Sequence, residues 1–197
     1  MRDVLIDADA FRFLRGLGLL DEVALALRKD RGGFMTEYVA RHELSALAPD
    51  VARLEAAGAL TVAAVAVRTP AGQRYRDFKR VADKGEAEAI AWALERPPPS
   101  RPLFVSRDAG ARRFAGEQRV PHTDVLGVLV EVVLGGHVTR ERVERAVAVW
   151  DDKSQQLGRP ADYVGFDATF AAREQERLAW TLEEYDAESE PGDEPAP

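Results

Sequence analysis

The chain has 197 residues, of which 46% are hydrophobic and 31% are charged, and its formal net charge is −7. This composition supports one substantial core and excludes wholesale disorder and a collagen-like repeat. The sequence has no cysteine, which excludes disulfide frameworks, zinc fingers and thiol nucleophiles. Charges appear among the first residues, and no uncharged stretch approaches the roughly 20 residues of a membrane span, so we expect a cytoplasmic protein without a membrane segment.

The acidic residues are concentrated at the end of the chain. Residues 182–197 contain seven Asp or Glu and no Lys or Arg, which leaves 27 acidic and 27 basic residues in the remainder. The negative net charge therefore does not argue against a nucleic-acid substrate. The tail, over 183–197, is rich in Pro, Gly, Ser and Glu and is expected to be disordered.

Apolar spacing and turn residues predict the elements in chain order. The first half is expected to contain a strand at 4–6, helices at 11–17 and 20–27, a strand at 34–36, a helical region at 39–54 and a strand at 60–67 that is covered on both faces. Residues 68–84 are polar and basic and are expected to form a loop with an exposed helical turn. The second half is expected to contain a helix at 85–95, a strand at 103–106, a helix at 109–115, an edge strand at 119–121 and helices at 124–134, 139–150 and 160–185.

The alternation of strands and helices predicts the fold class. It is typical of an α/β protein, a three-layer α/β/α sandwich with a mainly parallel central sheet. We expect this domain to span 1–150 and to be followed by a C-terminal helical extension at 151–182. Ligands of such sheets bind at the carboxyl ends of the strands.

Acidic residues interrupt apolar segments at several places. Asp7 and Asp9 follow the first predicted strand, Asp108 follows the strand at 103–106, Glu43 lies in an apolar helical region, and Glu86 opens a helix. Carboxylates that converge at one edge of a sheet repel one another unless a cation neutralises them. Mg²⁺ or Mn²⁺ is the expected cation, because both prefer oxygen ligands.

Four segments carry a family resemblance, and they occur in this order: Val4-Leu5-Ile6-Asp7-Ala8-Asp9, Glu43-Leu44, Lys84-Gly85-Glu86-Ala87-Glu88-Ala89-Ile90, and Phe104-Val105-Ser106-Arg107-Asp108. The ordered set resembles the acidic motifs of PIN-domain nucleases and looks closest to the VapC-like branch. The resemblance covers about residues 3–150. The chain departs from that branch at the last motif, where Asp108 stands alone and the branch often has two adjacent aspartates.

The resemblance implies a metal-dependent ribonuclease, often the toxin of a toxin–antitoxin pair. The implied metal-binding and catalytic residues are Asp7, Glu43, Glu86 and Asp108, with one or two Mg²⁺ or Mn²⁺ ions. The expected supporting residues are Asp9, Glu88 and Ser106, and the expected RNA phosphate-binding residues are Arg107 and Arg112. The implied partners are RNA, a small antitoxin protein and a second copy of the chain in a homodimer.

Helical geometry separates Glu86 from Glu88, because positions two apart on a helix point roughly 200° apart. Glu86 shares its face with Ile90 and Ala93, which are suited to packing on the sheet. Glu88 shares its face with Trp92. We therefore expect Glu86 to be the ligand and Glu88 to be a supporting or surface residue.

Two other functions remain open at this point. Asp7-Ala8-Asp9 after an apolar strand, with Ser106 ending another strand, also resembles haloacid-dehalogenase-type phosphatases, in which Asp7 would be the nucleophile. That fold needs a later acidic pair, and Asp151-Asp152 fits this pattern poorly. The second alternative is a PIN-like fold that acts as a non-catalytic binding module.

Overall fold

The structure is a computed structural model that describes residues 2–30, 32–152 and 159–189, with the backbone alone described for 30, 99 and 180–189. Within these residues five strands form one sheet: β1 Val4–Ile6, β2 Gly33–Thr36, β3 Thr61–Ala63, β4 Leu103–Val105 and β5 His122–Thr123. The strand order is β3-β2-β1-β4-β5, and every pair is parallel. The predicted fold class is confirmed.

Helices connect the strands. In chain order they are α1 Ala8–Gly16, α2 Leu20–Asp30, α3 Ala48–Ala56, α4 Pro70–Phe78, α5 Lys84–Ala93, α6 Ala109–Glu117, α7 Val125–Leu134, α8 Arg140–Val147 and α9 Phe166–Ser189. Between β2 and α3 the chain forms a π-helical segment, Val39–Glu43, and a 3₁₀ turn, Ser45–Leu47. The helices lie on both faces of the sheet.

The central strand β1 shows how the layers form. Successive side chains of a strand point to opposite faces. Val4 and Ile6 belong to the core cluster that includes residues of α1, α2, α3 and α7, whereas Leu5 belongs to the cluster formed with α5 and α6. All three residues of β1 are buried, as expected for the middle strand of a parallel sheet.

The predicted strand at 60–67 is too long. Only Thr61–Ala63 pairs in the sheet, and it does so as an edge strand that is partly exposed, not covered on both faces. Its apolar continuation leaves the sheet, and the side chain of Val67 is 73% exposed. An edge strand has a pairing partner on one side alone, so an apolar run there is not sufficient evidence of a buried strand.

The expected loop at 68–84 contains the helix α4. Thr69 caps its first turn, because Oγ1 accepts a hydrogen bond from the backbone N–H of Gly72 at 3.1 Å, and Pro70 occupies the first position. A capping Thr followed by Pro is a helix-start signal that the polar composition of the segment obscured. The predicted edge strand at 119–121 is also displaced, since the observed strand is His122–Thr123.

The expected C-terminal extension shares the core of the domain. Tyr163, Phe166 and Phe170 belong to the same cluster as Val4, and α9 packs along α7. The helix α9 begins at Phe166 and continues to Ser189, so it includes part of the predicted disordered tail, whereas 190–197 lie outside the described residues. Among the helices of the described chain, none combines the length and apolar character that crossing a bilayer requires.

Candidate functional site

The candidate site lies where β1 and β4 end. These neighbouring parallel strands pair Ile6 with Val105, so the residues that follow them meet at the same edge. The backbone N–H of Asp7 donates to the carbonyl oxygen of Val105 at 3.0 Å. Asp7 caps α1, and Asp108 caps α6 by accepting from the N–H of Ala111 at 2.9 Å. Sheet pairing and helix capping therefore fix both aspartates.

Asp7 is buried, and its carboxylate has defined partners. One oxygen accepts from the N–H of Ala8 at 2.7 Å, and the other accepts from Oγ of Ser106 at 2.8 Å. The same Oγ accepts from the N–H of Asp108 at 3.1 Å. Burial raises the pKa of Asp7, while the hydrogen bonds from Ser106 and Ala8 lower it. Ser106 therefore links the two aspartates, as a supporting residue does.

Glu43 ends the π-helical segment and points towards the start of α5. Its pKa is raised, first by burial and next by the negative charge of Asp7. A Cβ atom on Gly85 would come too close to Oε1 of Glu43, so a larger residue at 85 would displace the Glu43 carboxylate from this position. Arg12 donates to the carbonyl oxygen of Glu43 and forms an ion pair with Asp9 at 2.7 Å. Asp9 thus supports the Glu43 backbone through Arg12.

Glu86 and Glu88 have different surroundings on α5. The pKa of Glu86 is raised to about 7, first by burial and then by the charges of Asp7, Asp83 and Asp108. Oε2 of Glu88 instead accepts from the backbone N–H of Tyr38 at 2.8 Å. Glu86 therefore lies among the other carboxylates, and Glu88 supports the start of the π-helical segment after β2.

Of the two positions expected for Glu88, supporting or surface, the surface one does not occur: Glu88 is 8% exposed, and it is more buried than Glu86. The helix α5 is covered by the sheet on one side and by α4 on another, so both faces are buried. Because α4 covers a second face of α5, a buried position on this helix does not by itself indicate contact with the sheet.

The four predicted ligands line one cleft. It has a volume of about 470 Å³, and its lining includes the carboxylates of Asp7, Asp9, Glu43, Asp83, Glu86 and Asp108 together with Tyr38 and Lys84. Asp83, Lys84 and Tyr38 were missed by the sequence analysis. Asp83 and Lys84 directly precede Gly85-Glu86, and Tyr38 follows the end of β2, so their positions beside predicted site residues were the available signal.

The donor set is compatible with a hard divalent cation. Every carboxylate offers oxygen ligands. After burial, the charges of neighbouring carboxylates are the next cause of the raised pKa values of Glu43 and Glu86, and a cation would relieve this repulsion. Within the described residues, no group of three or more His, Asp or Glu side chains is placed closely enough to hold a metal ion. The residues therefore fit such a cation by chemistry and charge, not as a preformed coordination sphere.

The two predicted phosphate-binding arginines lie beside the cleft. Nη1 of Arg112 donates to the carbonyl oxygens of Ser106 and Arg107 at 2.8 and 2.6 Å and so holds the loop after β4. The guanidinium of Arg107 lies over the ring of Phe13, 5.1 Å from its centroid. Arg112 thus has a structural role, and contact of either arginine with RNA stays a prediction.

Comparisons with protein-family models, curated proteins and solved structures found no match to this chain. The PIN-domain resemblance therefore continues to depend on the four motifs alone.

Proposed function

We propose that the protein is a metal-dependent endoribonuclease of the PIN-domain type, which hydrolyses RNA phosphodiester bonds with Mg²⁺ or Mn²⁺. The observation that carries the proposal is the cleft, which Asp7, Glu43, Glu86 and Asp108 all line although they come from four separate segments of the chain. In proteins of this fold class, ligands bind at the carboxyl edge of the parallel sheet, which is where this cleft lies.

The proposed chemistry divides between the cation and the protein. When bound, the cation supplies an acidified water as nucleophile and positive charge for the phosphate in the transition state. Asp7 would be one of its ligands, because the N–H of Ala8 and the hydroxyl of Ser106 orient its carboxylate. Glu43, Glu86 and Asp108 would complete the ligand set. Glu86, whose pKa burial and the neighbouring carboxylates raise to about 7, would give up its proton near neutral pH to act as a ligand.

The phosphatase alternative is less well supported by the side-chain contacts. It needs Asp9 as a proton donor, but Asp9 pairs with Arg12 at 2.7 Å. It also needs an acidic pair in the site, and Asp151 instead accepts from the hydroxyl of Tyr163 at 3.0 Å. The non-catalytic module is weakened by the raised pKa of Glu86, because perturbed carboxyl groups gathered in a cleft are more typical of catalytic sites.

Cleavage of a labelled RNA tests the proposal. The wild-type protein is incubated with Mg²⁺, with Mn²⁺ or with excess chelator, beside Asp7→Asn, Asp108→Asn and the control Glu117→Gln, which removes an exposed carboxylate at the end of α6. We expect cation-dependent cleavage by the wild type and the control, and none by the two site variants. Chelator-resistant cleavage, or full activity in both site variants, would refute the nuclease. A phosphoaspartate trapped on Asp7 would identify the phosphatase.

The biological role is a separate part of the proposal. By the same resemblance we propose that the protein acts as a toxin, that a small antitoxin protein binds it, and that it forms a homodimer in the cytoplasm. Expression with and without the neighbouring reading frame tests the first two points, and light scattering of the purified protein tests the third. Growth arrest that the neighbouring gene relieves is the expected result, and an innocuous protein of monomeric mass would contradict this part.

A further inference from the structure

A second groove begins where the carboxylate cleft ends, and we call it the arginine groove. It has a volume of about 330 Å³, and its charged lining consists of Arg107, Arg112, Arg159, Asp9, Asp108 and Asp124. Asp9 and Asp108 line the cleft as well, so the two depressions adjoin. Arg159 comes from the C-terminal extension, to which neither the motifs nor the resemblance assigns a role.

Two of the three carboxylates in the arginine groove already have cationic partners outside it. Asp9 pairs with Arg12 at 2.7 Å, and Asp124 pairs with Arg173 at 2.6 Å. Opposite charges this close neutralise most of each other's field.

Further carboxylates belong to a neighbouring cavity. Asp162 and Glu176 line that cavity and pair with Arg173 at 2.8 and 3.0 Å. Arg173 is thus shared by three carboxylates and balances one of their charges. The lining of the arginine groove has three arginines and three carboxylates and is close to neutral, whereas the cleft beside it has six carboxylates and one lysine. The arginine groove is therefore the less acidic approach to the cleft for a phosphate backbone.

The three guanidinium groups are held in place before any ligand binds. Arg107 lies over Phe13, and Arg112 is bonded to two backbone carbonyls. Arg159 lies over the ring of Tyr163, 5.2 Å from its centroid, and donates to the carbonyl oxygen of Tyr163 at 3.0 Å. Groups ordered in advance lose less conformational entropy when they bind a ligand.

Tyr163 is itself fixed, so the position of Arg159 is well determined. Its ring is buried and packs edge-on against Trp150 with centroids 5.5 Å apart. Its hydroxyl donates to Asp151 at 3.0 Å, and burial followed by this carboxylate raises the pKa of Tyr163 to about 12. The phenol therefore remains a neutral donor at physiological pH.

A buried ion pair holds the extension against the domain. Arg173 of α9 donates to one oxygen of Asp124 through Nε at 3.1 Å and Nη2 at 2.6 Å. The other oxygen of Asp124 caps α7 by accepting from the N–H of Gly127 at 2.9 Å. The side chain of Arg173 is 6% exposed and that of Asp124 is 5% exposed. The extension is thus attached at the groove itself.

From these contacts we infer that the C-terminal segment 159–173 is part of the RNA-binding face, and that Arg159 contacts a backbone phosphate next to the one that is cleaved. This inference rests on the proposed ribonuclease function. Arg159 binds the strand and positions it and does not touch the reacting atoms. A planar guanidinium suits this contact because it bonds two phosphate oxygens at once.

Binding of a short fluorescein-labelled single-stranded RNA in excess chelator tests the inference without cleavage. Fluorescence anisotropy is measured over a salt series for the wild type, Arg159→Ala, Arg159→Lys and the control Arg140→Ala. Arg140 is a matched control because it also lies over aromatic rings of the extension, Phe166 and Phe170, but does not line the arginine groove. Thermal melting verifies that each variant is folded.

We expect Arg159→Ala to weaken binding about 3- to 10-fold at low salt and to reduce the salt dependence by about one phosphate contact. Arg159→Lys should recover part of the affinity, since it keeps the charge but not the planar group. Arg140→Ala should leave both quantities unchanged. Wild-type affinity and salt slope in folded Arg159→Ala would overturn the inference, as would a wild type that binds no RNA.

The cleavage assay separates the two proposals. If the wild type cleaves RNA and Arg159→Ala binds and cleaves as well as it does, the inference fails and the ribonuclease stands. If the wild type binds RNA through Arg159 and never cleaves it, the proposed ribonuclease activity is refuted, and the inference that segment 159–173 belongs to an RNA-binding face is supported.

Discussion

Replacement of Glu86 by glutamine is expected to stabilise the metal-free protein at neutral and alkaline pH. The change of pKa from the ordinary value of 4.5 to about 7 has burial as its first cause and the charges of Asp7, Asp83 and Asp108 as the next. Between these two pH values the folded protein keeps a proton that the unfolded chain has lost, so stability falls as the pH rises through this interval. The glutamine side chain of the Glu86→Gln variant has no proton to lose, and the substitution would remove that fall.

The magnitude follows from the same values. A change from 4.5 to about 7 corresponds to about 3.4 kcal/mol, at about 1.36 kcal/mol for each pKa unit. Because Glu86 is only half-buried, solvent screening reduces the expected gain to about 1 to 2 kcal/mol. For a chain of this size that gain raises the melting temperature by about 2 to 8 °C.

Urea unfolding of the wild type, Glu86→Gln and Glu117→Gln in chelator measures the effect. The gain of Glu86→Gln should be fully present at about pH 8 and nearly vanish at about pH 3.5, where Glu86 is protonated in the folded state and largely so in the unfolded state. Glu117→Gln, which removes an exposed carboxylate, controls for the loss of one negative charge. A Glu86→Gln protein that is no more stable than the wild type at about pH 8 would refute the electrostatic reasoning.

Three further changes have expected outcomes. Ser106→Ala should destabilise the protein by about 1 to 3 kcal/mol in urea unfolding and raise the pKa of Asp7 in a carboxyl NMR titration, because the buried carboxylate loses a donor; an unchanged titration would contradict this. Arg173→Ala should cost about 3 to 5 kcal/mol, since it leaves Asp124 buried without its cation; a loss below about 1 kcal/mol would show that the pair does not hold the extension. Glu88→Gln should reduce RNA cleavage far less than Glu86→Gln, and the reverse order would exchange their roles.

The fold class was predictable because strand and helix signals alternate clearly in the sequence. Asp7 and Asp108 could be located since each follows a predicted strand that the structure contains, β1 and β4. The length of the edge strand β3 was overestimated. An apolar run in the sequence does not show whether strands pair with it on both sides or on one side alone. The helix α4 was missed since its polar composition outweighed the capping signal of Thr69 and Pro70.

The side-chain arrangement was less predictable because long-range packing determines it. Arg173 and Asp124 are 49 residues apart in sequence, and no local pattern indicates that they pair. The same is true of Arg159, which lines the arginine groove from the C-terminal extension. The approach of Glu43 to Gly85 likewise depends on how the π-helical segment meets α5. Spacing can therefore suggest a set of carboxylates, but it does not give the distances between them.

The rate of RNA cleavage in a single turnover, measured as a function of Mn²⁺ concentration, tests the central claim most directly. The account predicts a rate in the wild type that rises from the chelator background and saturates, with the same curve for Glu117→Gln and no rise for Asp7→Asn. A rate independent of Mn²⁺ in the wild type, or a saturating curve of full height in Asp7→Asn, would contradict the assignment of the cleft as a cation-dependent ribonuclease site.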